Sequence, residues 1–315
     1  MTQRTAVLFN PQVAMRPGDY RDLYEALPRV RRRLEDASEA IGADLVGAFH
    51  SADADLVNQG PLIRPMSVAL GIALYESLPA RLREGAAYTA GLSLGQITAA
   101  AAAGALEFTD AVRTVRTMAA IEEEVFAGRD YGSTFCYCVD LQAVHAKIGE
   151  LTGQGFEVAP CAVTGDDQMV VSGEGRALTA VNELAAETGG VGVRIPHGPP
   201  GHSPMLAEAE RRFAAEWKQA DLVRAPGVPL ICNMGAHPLT TAQEVREALI
   251  TQYTRTVYWA EGIEHLLALG ITRFVVVGPG HFIAKSFTFI GRAKGADVIR
   301  FDQAPSFLRE MAKHR

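Results

Sequence analysis

The sequence predicts an α/β protein: a mostly parallel sheet covered on both faces by helices, with a small split-βαβ domain set into it. Three observations carry this expectation. Short apolar runs alternate with helical patterns in the first 127 residues and again beyond residue 203. Between them the order changes to β-α-β-β-α-β. A Gly91-Leu92-Ser93-Leu94-Gly95 string also sits between an apolar run and a helical stretch, where strand-to-helix connections of parallel sheets carry their chemistry.

The elements follow in chain order. Thr5-Ala6-Val7-Leu8-Phe9 reads as a first buried strand running into a turn at Asn10-Pro11-Gln12. Residues 19–43 place apolar positions at helical spacing, with Arg29, Arg31, Arg32 and Arg33 on a solvated face. Arg64-Pro65 is expected to open the next helix, because proline suits a first turn. Residues 86–90 form a short apolar strand, followed by an alanine-rich helix and a further helix over 108–127.

After Gly128 come a strand at 134–139, a helix at 140–153 and a strand at 156–163. The turn signal Gly165-Asp166-Asp167 precedes a strand at 168–172, a helix at 175–188 and a last strand at 192–195. The expected divisions are therefore 1–129 and 198–315 for the large part and 130–197 for the small one. The C-terminal part reads as a helix over 203–219, a strand at 228–232, and helices at 241–251 and 257–269. Arg273-Phe274-Val275-Val276-Val277 is a strand ending in Gly278-Pro279-Gly280, and a helix continues from Phe282.

Composition bounds the function. Thirty basic against thirty-six acidic residues give a net charge of −6, which argues against general affinity for nucleic acid. The first residues lack the apolar run of a signal peptide, and no stretch approaches the roughly 18 apolar residues of a membrane span. A cytoplasmic location is expected, with no membrane partner. Cys136, Cys138, Cys161 and Cys232 lack zinc-type spacing and read as free thiols of a reducing compartment. No metal site is expected.

The Gly91–Gly95 string is the signature of a nucleophile elbow. Glycines on either side of the serine let the chain fold back on itself and present the hydroxyl at a helix N-terminus. Backbone N–H groups there stabilise the oxyanion that forms when a carbonyl is attacked. A serine hydroxyl needs a base. His202, in the proline-stiffened Gly198-Pro199-Pro200-Gly201-His202-Ser203-Pro204-Met205 segment, leads by position. His281 follows, then His197 and His237. No Asp or Glu announces itself as the partner that orients the imidazole; Asp166, Asp167 and Asp297 remain open, as does a backbone or amide oxygen.

Several strings, in order, resemble the malonyl-CoA:acyl carrier protein transacylases and the related acyltransferase domains of polyketide synthases. They are FNPQ at 9–12, GLSLGQ at 91–96, DAVRTVR at 110–116, QMVVSG at 168–173, GHSPM at 201–205, Gln252-Tyr253 with Trp259, and VGPG at 277–280. The resemblance implies a hydrolase-like parallel-sheet large subdomain with an inserted ferredoxin-like small one. It implies Ser93 as nucleophile, His202 as general base, and oxyanion-hole N–H groups from Gln12 and Leu94. It further implies that the Gln252 main-chain carbonyl orients the histidine. The reaction implied is ping-pong: an acyl thioester loads Ser93, and the acyl group passes to the phosphopantetheine thiol of an acyl carrier protein. Coenzyme A or phosphopantetheine then belongs to the substrate, and no cofactor is permanently bound.

The departures from the family pattern concern the acyl pocket. The arginine that holds a malonyl carboxylate in the family aligns with Met118, Arg64 replaces a pocket glutamine, and Thr164 ends a segment that has lost two asparagines. These point to transfer of an acyl group other than malonyl, in polyketide rather than housekeeping metabolism. The alternatives are a malonyl transacylase that uses Arg64, an editing hydrolase, or a carrier-docking scaffold with a dead site. A monomer is expected, with Arg113, Arg116, Lys285, Arg292 and Lys294 as candidates for docking an acidic carrier protein.

Overall fold

A computed structural model of the chain describes residues 4–196, 198–217 and 222–313. The larger sheet is built from β1 (Thr5–Phe9), β2 (Ala86–Gly91), β7 (Leu230–Ile231), β8 (Pro238–Leu239), β10 (Arg273–Val277) and β11 (Asp297–Phe301). Their order is β11-β10-β1-β2-β7-β8; the first five run parallel and β8 returns antiparallel beside β7. β1 is central, and Ala6, Val7, Leu8 and Phe9 are all fully buried, as expected of a strand covered on both faces.

Register sets where the chemistry can lie. Phe9 stands opposite Gly91 on one side and Val277 on the other. Three strands therefore end together, and the loops at Asn10–Gln12, Leu92–Ser93 and Gly278–Gly280 gather at one edge. Carboxyl edges of parallel sheets are where such folds bind ligands.

The smaller sheet contains β3 (Tyr131–Tyr137), β4 (Val158–Gly165), β5 (Gln168–Glu174) and β6 (Val191–Ile195), in the order β6-β3-β5-β4, all antiparallel. Helices Leu141–Gly153 and Gly175–Glu187 supply its own core, in which Val144, Ile148, Leu178 and Val181 pack on Cys136, Met169 and Val171. The expected two-subdomain α/β fold is what the structure has. The sheet also gains an unanticipated fifth strand, β9 (Val257–Tyr258), which pairs parallel with β4 and ties the C-terminal part of the chain to the small subdomain.

Several local expectations need correction. The helix expected over 19–43 is two, Arg21–Ala26 and Pro28–Ile41, because Pro28 has no N–H to continue the first and opens the second. The helix expected to open at Arg64-Pro65 begins at Gly60, with Pro61 in its first turn and Pro65 inside it. Pro65 forfeits only the bond to the Pro61 carbonyl, and burial of Ile63 and of Met66 through Leu74 outweighs that loss. This helix packs on Phe108–Val125; the first carries Arg64 and the second Met118 and Glu122. Among the described residues, no helix is long and apolar enough to cross a membrane.

Candidate active site

Ser93 takes φ 56° and ψ −118°, a conformation that L residues rarely adopt and that persists only when the surroundings impose it. The two glycines explain how. A Cβ on Gly91 would lie 1.9 Å from the Gly95 carbonyl oxygen, and one on Gly95 would lie 2.2 Å from the carbonyl oxygen of Phe9. The turn therefore closes on itself and also presses against β1. Ser93 occupies the N-cap of the Leu94–Ala102 helix, but its hydroxyl does not cap that helix. It turns outward, 2.7 Å from His202 Nε2.

His202 Nδ1 lies 2.7 Å from the main-chain oxygen of Gln252. A carbonyl oxygen only accepts, so Nδ1 carries the proton and Nε2 is free to accept the Ser93 hydroxyl proton. Gln252 closes the C-terminal end of the Ala242–Thr251 helix, where carbonyls carry partial negative charge. That carbonyl occupies the place the sequence left open among Asp166, Asp167, Asp297 and a backbone or amide oxygen.

Both subdomains fix the histidine loop. The Ser203 N–H donates to the Tyr253 oxygen at 3.0 Å, and the Ser172 hydroxyl of β5 donates to the Gly201 oxygen at 2.8 Å. Ser172 in turn meets the Ser133 hydroxyl of β3 at 2.8 Å. Burial lowers the His202 pKa below its ordinary value, the Gln252 bond and the Glu122 charge oppose the shift, and Arg64 adds to it. The ring is therefore neutral, and basic at Nε2, around pH 7.

A cavity of about 400 Å³ opens beside the pair, lined by Gln12, Arg64, Leu94, Met118 and Thr164 together with Ser93, His202 and Gln252. The first residue of a helix has no intrahelical acceptor for its N–H, which is the position of Leu94. Met118 is a buried apolar wall, and Thr164 is fully buried with its hydroxyl 3.5 Å from Gln168 Oε1. Arg64 is the cation of the cavity. Its Nε donates to Gln12 Oε1 at 3.0 Å, its Nη1 donates to Glu122 Oε1 at 3.0 Å, and its Nη2 bonds Glu122 Oε2.

Glu122 escaped sequence reasoning. The available signal was spacing: it falls four residues after Met118 on one helix face, an acid among buried apolar positions. Tyr253, buried nearby, has its phenol pKa raised, first by burial and then by Glu122.

The remaining candidates lie elsewhere. His281 Nδ1 faces the Gln303 side-chain amide at 3.4 Å, and His237 Nδ1 lies 3.3 Å from the Gly235 carbonyl oxygen, two residues back. His197 lies outside the described residues. Lys285, Arg292 and Lys294 are exposed close together in the chain, with Arg292 4.0 Å from Glu264. Arg113 is engaged by Asp110 and by the Ala40 carbonyl, and Arg116 is half-buried. No cluster of three or more His, Cys, Asp or Glu side chains among the described residues could hold a metal ion.

No family profile matches the chain. Individual proteins do. It is 28% identical over 285 residues to a Bacillus subtilis malonyl CoA-acyl carrier protein transacylase, covering 89% of this chain and 88% of the relative. It is 27% identical over 281 residues to the Escherichia coli K12 transacylase, covering 89% and 90%. The solved Streptococcus pneumoniae transacylase superposes with a TM-score of 0.86 at 27% identity, over 98% of this chain and 100% of that one. Along nearly its whole length the chain resembles the malonyl-CoA:acyl carrier protein transacylase family.

Two results follow from this resemblance. The chain is a serine-nucleophile acyltransferase. The expectation of an acyl group other than malonyl is overturned, because these relatives and solved structures are malonyl transacylases. The physical reason is that Arg64, the cation of the alternative reading, brings its guanidinium into the same cavity as Met118 from the neighbouring helix.

Proposed function

We propose that this chain transfers malonyl groups from malonyl-CoA to the phosphopantetheine thiol of an acyl carrier protein, with Arg64 as the partner of the malonyl carboxylate. The observation that carries the reading is a Ser93–His202–Gln252 relay opening on a cavity that contains a guanidinium.

Ser93 Oγ attacks the thioester carbon while His202 Nε2 takes its proton. The oxyanion of the tetrahedral intermediate is held by the main-chain N–H groups of Gln12 and Leu94. Its collapse breaks the carbon–sulfur bond, and the departing CoA thiolate takes the proton back from His202. In the second half, His202 accepts the carrier's thiol proton, sulfur attacks the malonyl ester, and Ser93 leaves with that proton. Gln252 holds one tautomer throughout. The cavity walls of Met118 and Thr164 shape the acyl site beside Arg64. Exposed Lys285, Arg292 and Lys294, with Arg113 and Arg116, are proposed to attract the acidic carrier. A cytoplasmic setting fits four free cysteines.

Incubation with malonyl-CoA should raise the intact mass by one malonyl group, and Ser93→Ala should remove the adduct. Free malonate accumulating at the same rate with and without carrier protein would overturn transfer in favour of hydrolysis. The pH dependence has a definite sign. Burial depresses the His202 pKa from its ordinary 6.5, so the neutral base persists below that pH. The acylation rate should therefore be flat through neutrality and fall only as pH drops well under 6.5. A midpoint above 6.5 in single-turnover acylation would contradict the buried-base assignment.

A further inference from the structure

Glu122 lies inside the acyl cavity yet has no place in the proton relay. Its two carboxylate oxygens take Nη1 and Nη2 of Arg64, the fork geometry by which guanidinium holds any free carboxylate. The pair is shielded from water, with side-chain exposures of 12% for Arg64 and 6% for Glu122. The third engaged donor, Nε, is committed to Gln12. An incoming malonyl group thus meets an arginine whose fork is already filled by the protein. Its carboxylate must either share the guanidinium with Glu122 or displace it. Both arrangements bring two carboxylates to one cation in a closed space, where like charges repel strongly. An uncharged acyl group incurs no such cost.

We infer that Glu122 is a specificity-determining residue: a resident carboxylate that competes with the substrate's own for Arg64 and so limits the margin by which malonyl is preferred over uncharged acyl groups. This rests on the reading of Arg64 as the malonyl carboxylate's partner. Glu122→Gln keeps the shape and a hydrogen-bond acceptor but removes the charge, leaving the guanidinium in need of an anion. Glu122→Asp keeps the charge and withdraws it by one methylene.

The test measures kcat/KM for acylation of Ser93 by malonyl-CoA and by acetyl-CoA, in the wild-type protein and both variants. Glu122→Gln should raise the malonyl-to-acetyl ratio by about tenfold or more, the scale set by removing one opposing charge from a buried site. Glu122→Asp should raise it less. Thermal melting supplies a second readout: malonyl loading should stabilise Glu122→Gln more than it stabilises the wild-type protein, because the substrate's carboxylate replaces the lost partner. A ratio unchanged or lowered in Glu122→Gln, or, should that variant not fold, unchanged or lowered in Glu122→Asp, overturns the rivalry while leaving malonyl transfer intact. A wild-type protein that forms no malonyl-Ser93 overturns both.

Discussion

Replacing His202 by alanine should lower kcat/KM for malonyl transfer by about 10³–10⁴-fold, the range expected when a general base is lost from a serine relay. The serine proton leaves through the 2.7 Å contact with His202, and a water in the space left by the ring is a far weaker base. Both half-reactions should suffer, because one nitrogen accepts the proton of the serine and later that of the carrier thiol. Single-turnover acylation followed by intact mass separates them: the adduct should form slowly and, once formed, should leave slowly. The acid limb of the pH profile should also vanish, since it belongs to this ring. Folding should be little affected, because the loop is held by main-chain bonds from Ser203 and to Gly201 rather than by the imidazole alone.

Gly95→Ala should be strongly destabilising although it adds a single methyl group. Its Cβ would meet Phe9 O at 2.2 Å and Asn10 O at 2.8 Å, and both obstacles are backbone of the central strand and its exit turn. Relief requires the elbow helix to move away from β1, which also opens the loop bearing Gln12. A cost of at least about 3 kcal/mol is expected from such overpacking. The thermal midpoint should fall by on the order of 5–10 °C. Melting of purified variants beside the wild-type protein checks this. A midpoint unchanged within error would show that the elbow does not press on β1 as described. Whatever folded protein survives should form the acyl-serine slowly, since Ser93 and Gln12 flank the displaced contact.

Much of the site was legible in residue order because its parts are local. The elbow requires two glycines around one serine, and the strand before it and helix after it are adjacent in the chain. β1 and β10 are unbroken apolar runs, and their burial on both faces makes such runs distinctive. The inserted subdomain showed itself through its change of element order. What escaped was short, or paired with distant partners. β9 has two residues and is a strand only because β4 lies beside it. β8 is equally brief, and β11 begins with an exposed aspartate that a core strand would not carry.

The acyl pocket shows the limit most plainly. Arg64 bonds a glutamine 52 positions before it and a glutamate 58 positions after it, and the three form one cluster. In the sequence Met118 favoured an uncharged acyl group and Arg64 stood as the alternative cation; in the structure the adjacent helix brings the Arg64 guanidinium into the cavity. By itself the sequence determined the α/β class, the inserted subdomain, the serine turn and a short set of histidines, because each depends on spacing along one segment. Only the tertiary structure decided that the Gln252 carbonyl meets His202, and that Arg64 enters the acyl cavity already paired with Glu122. Those contacts depend on how separate helices pack, and packing is fixed by side chains far apart in the chain.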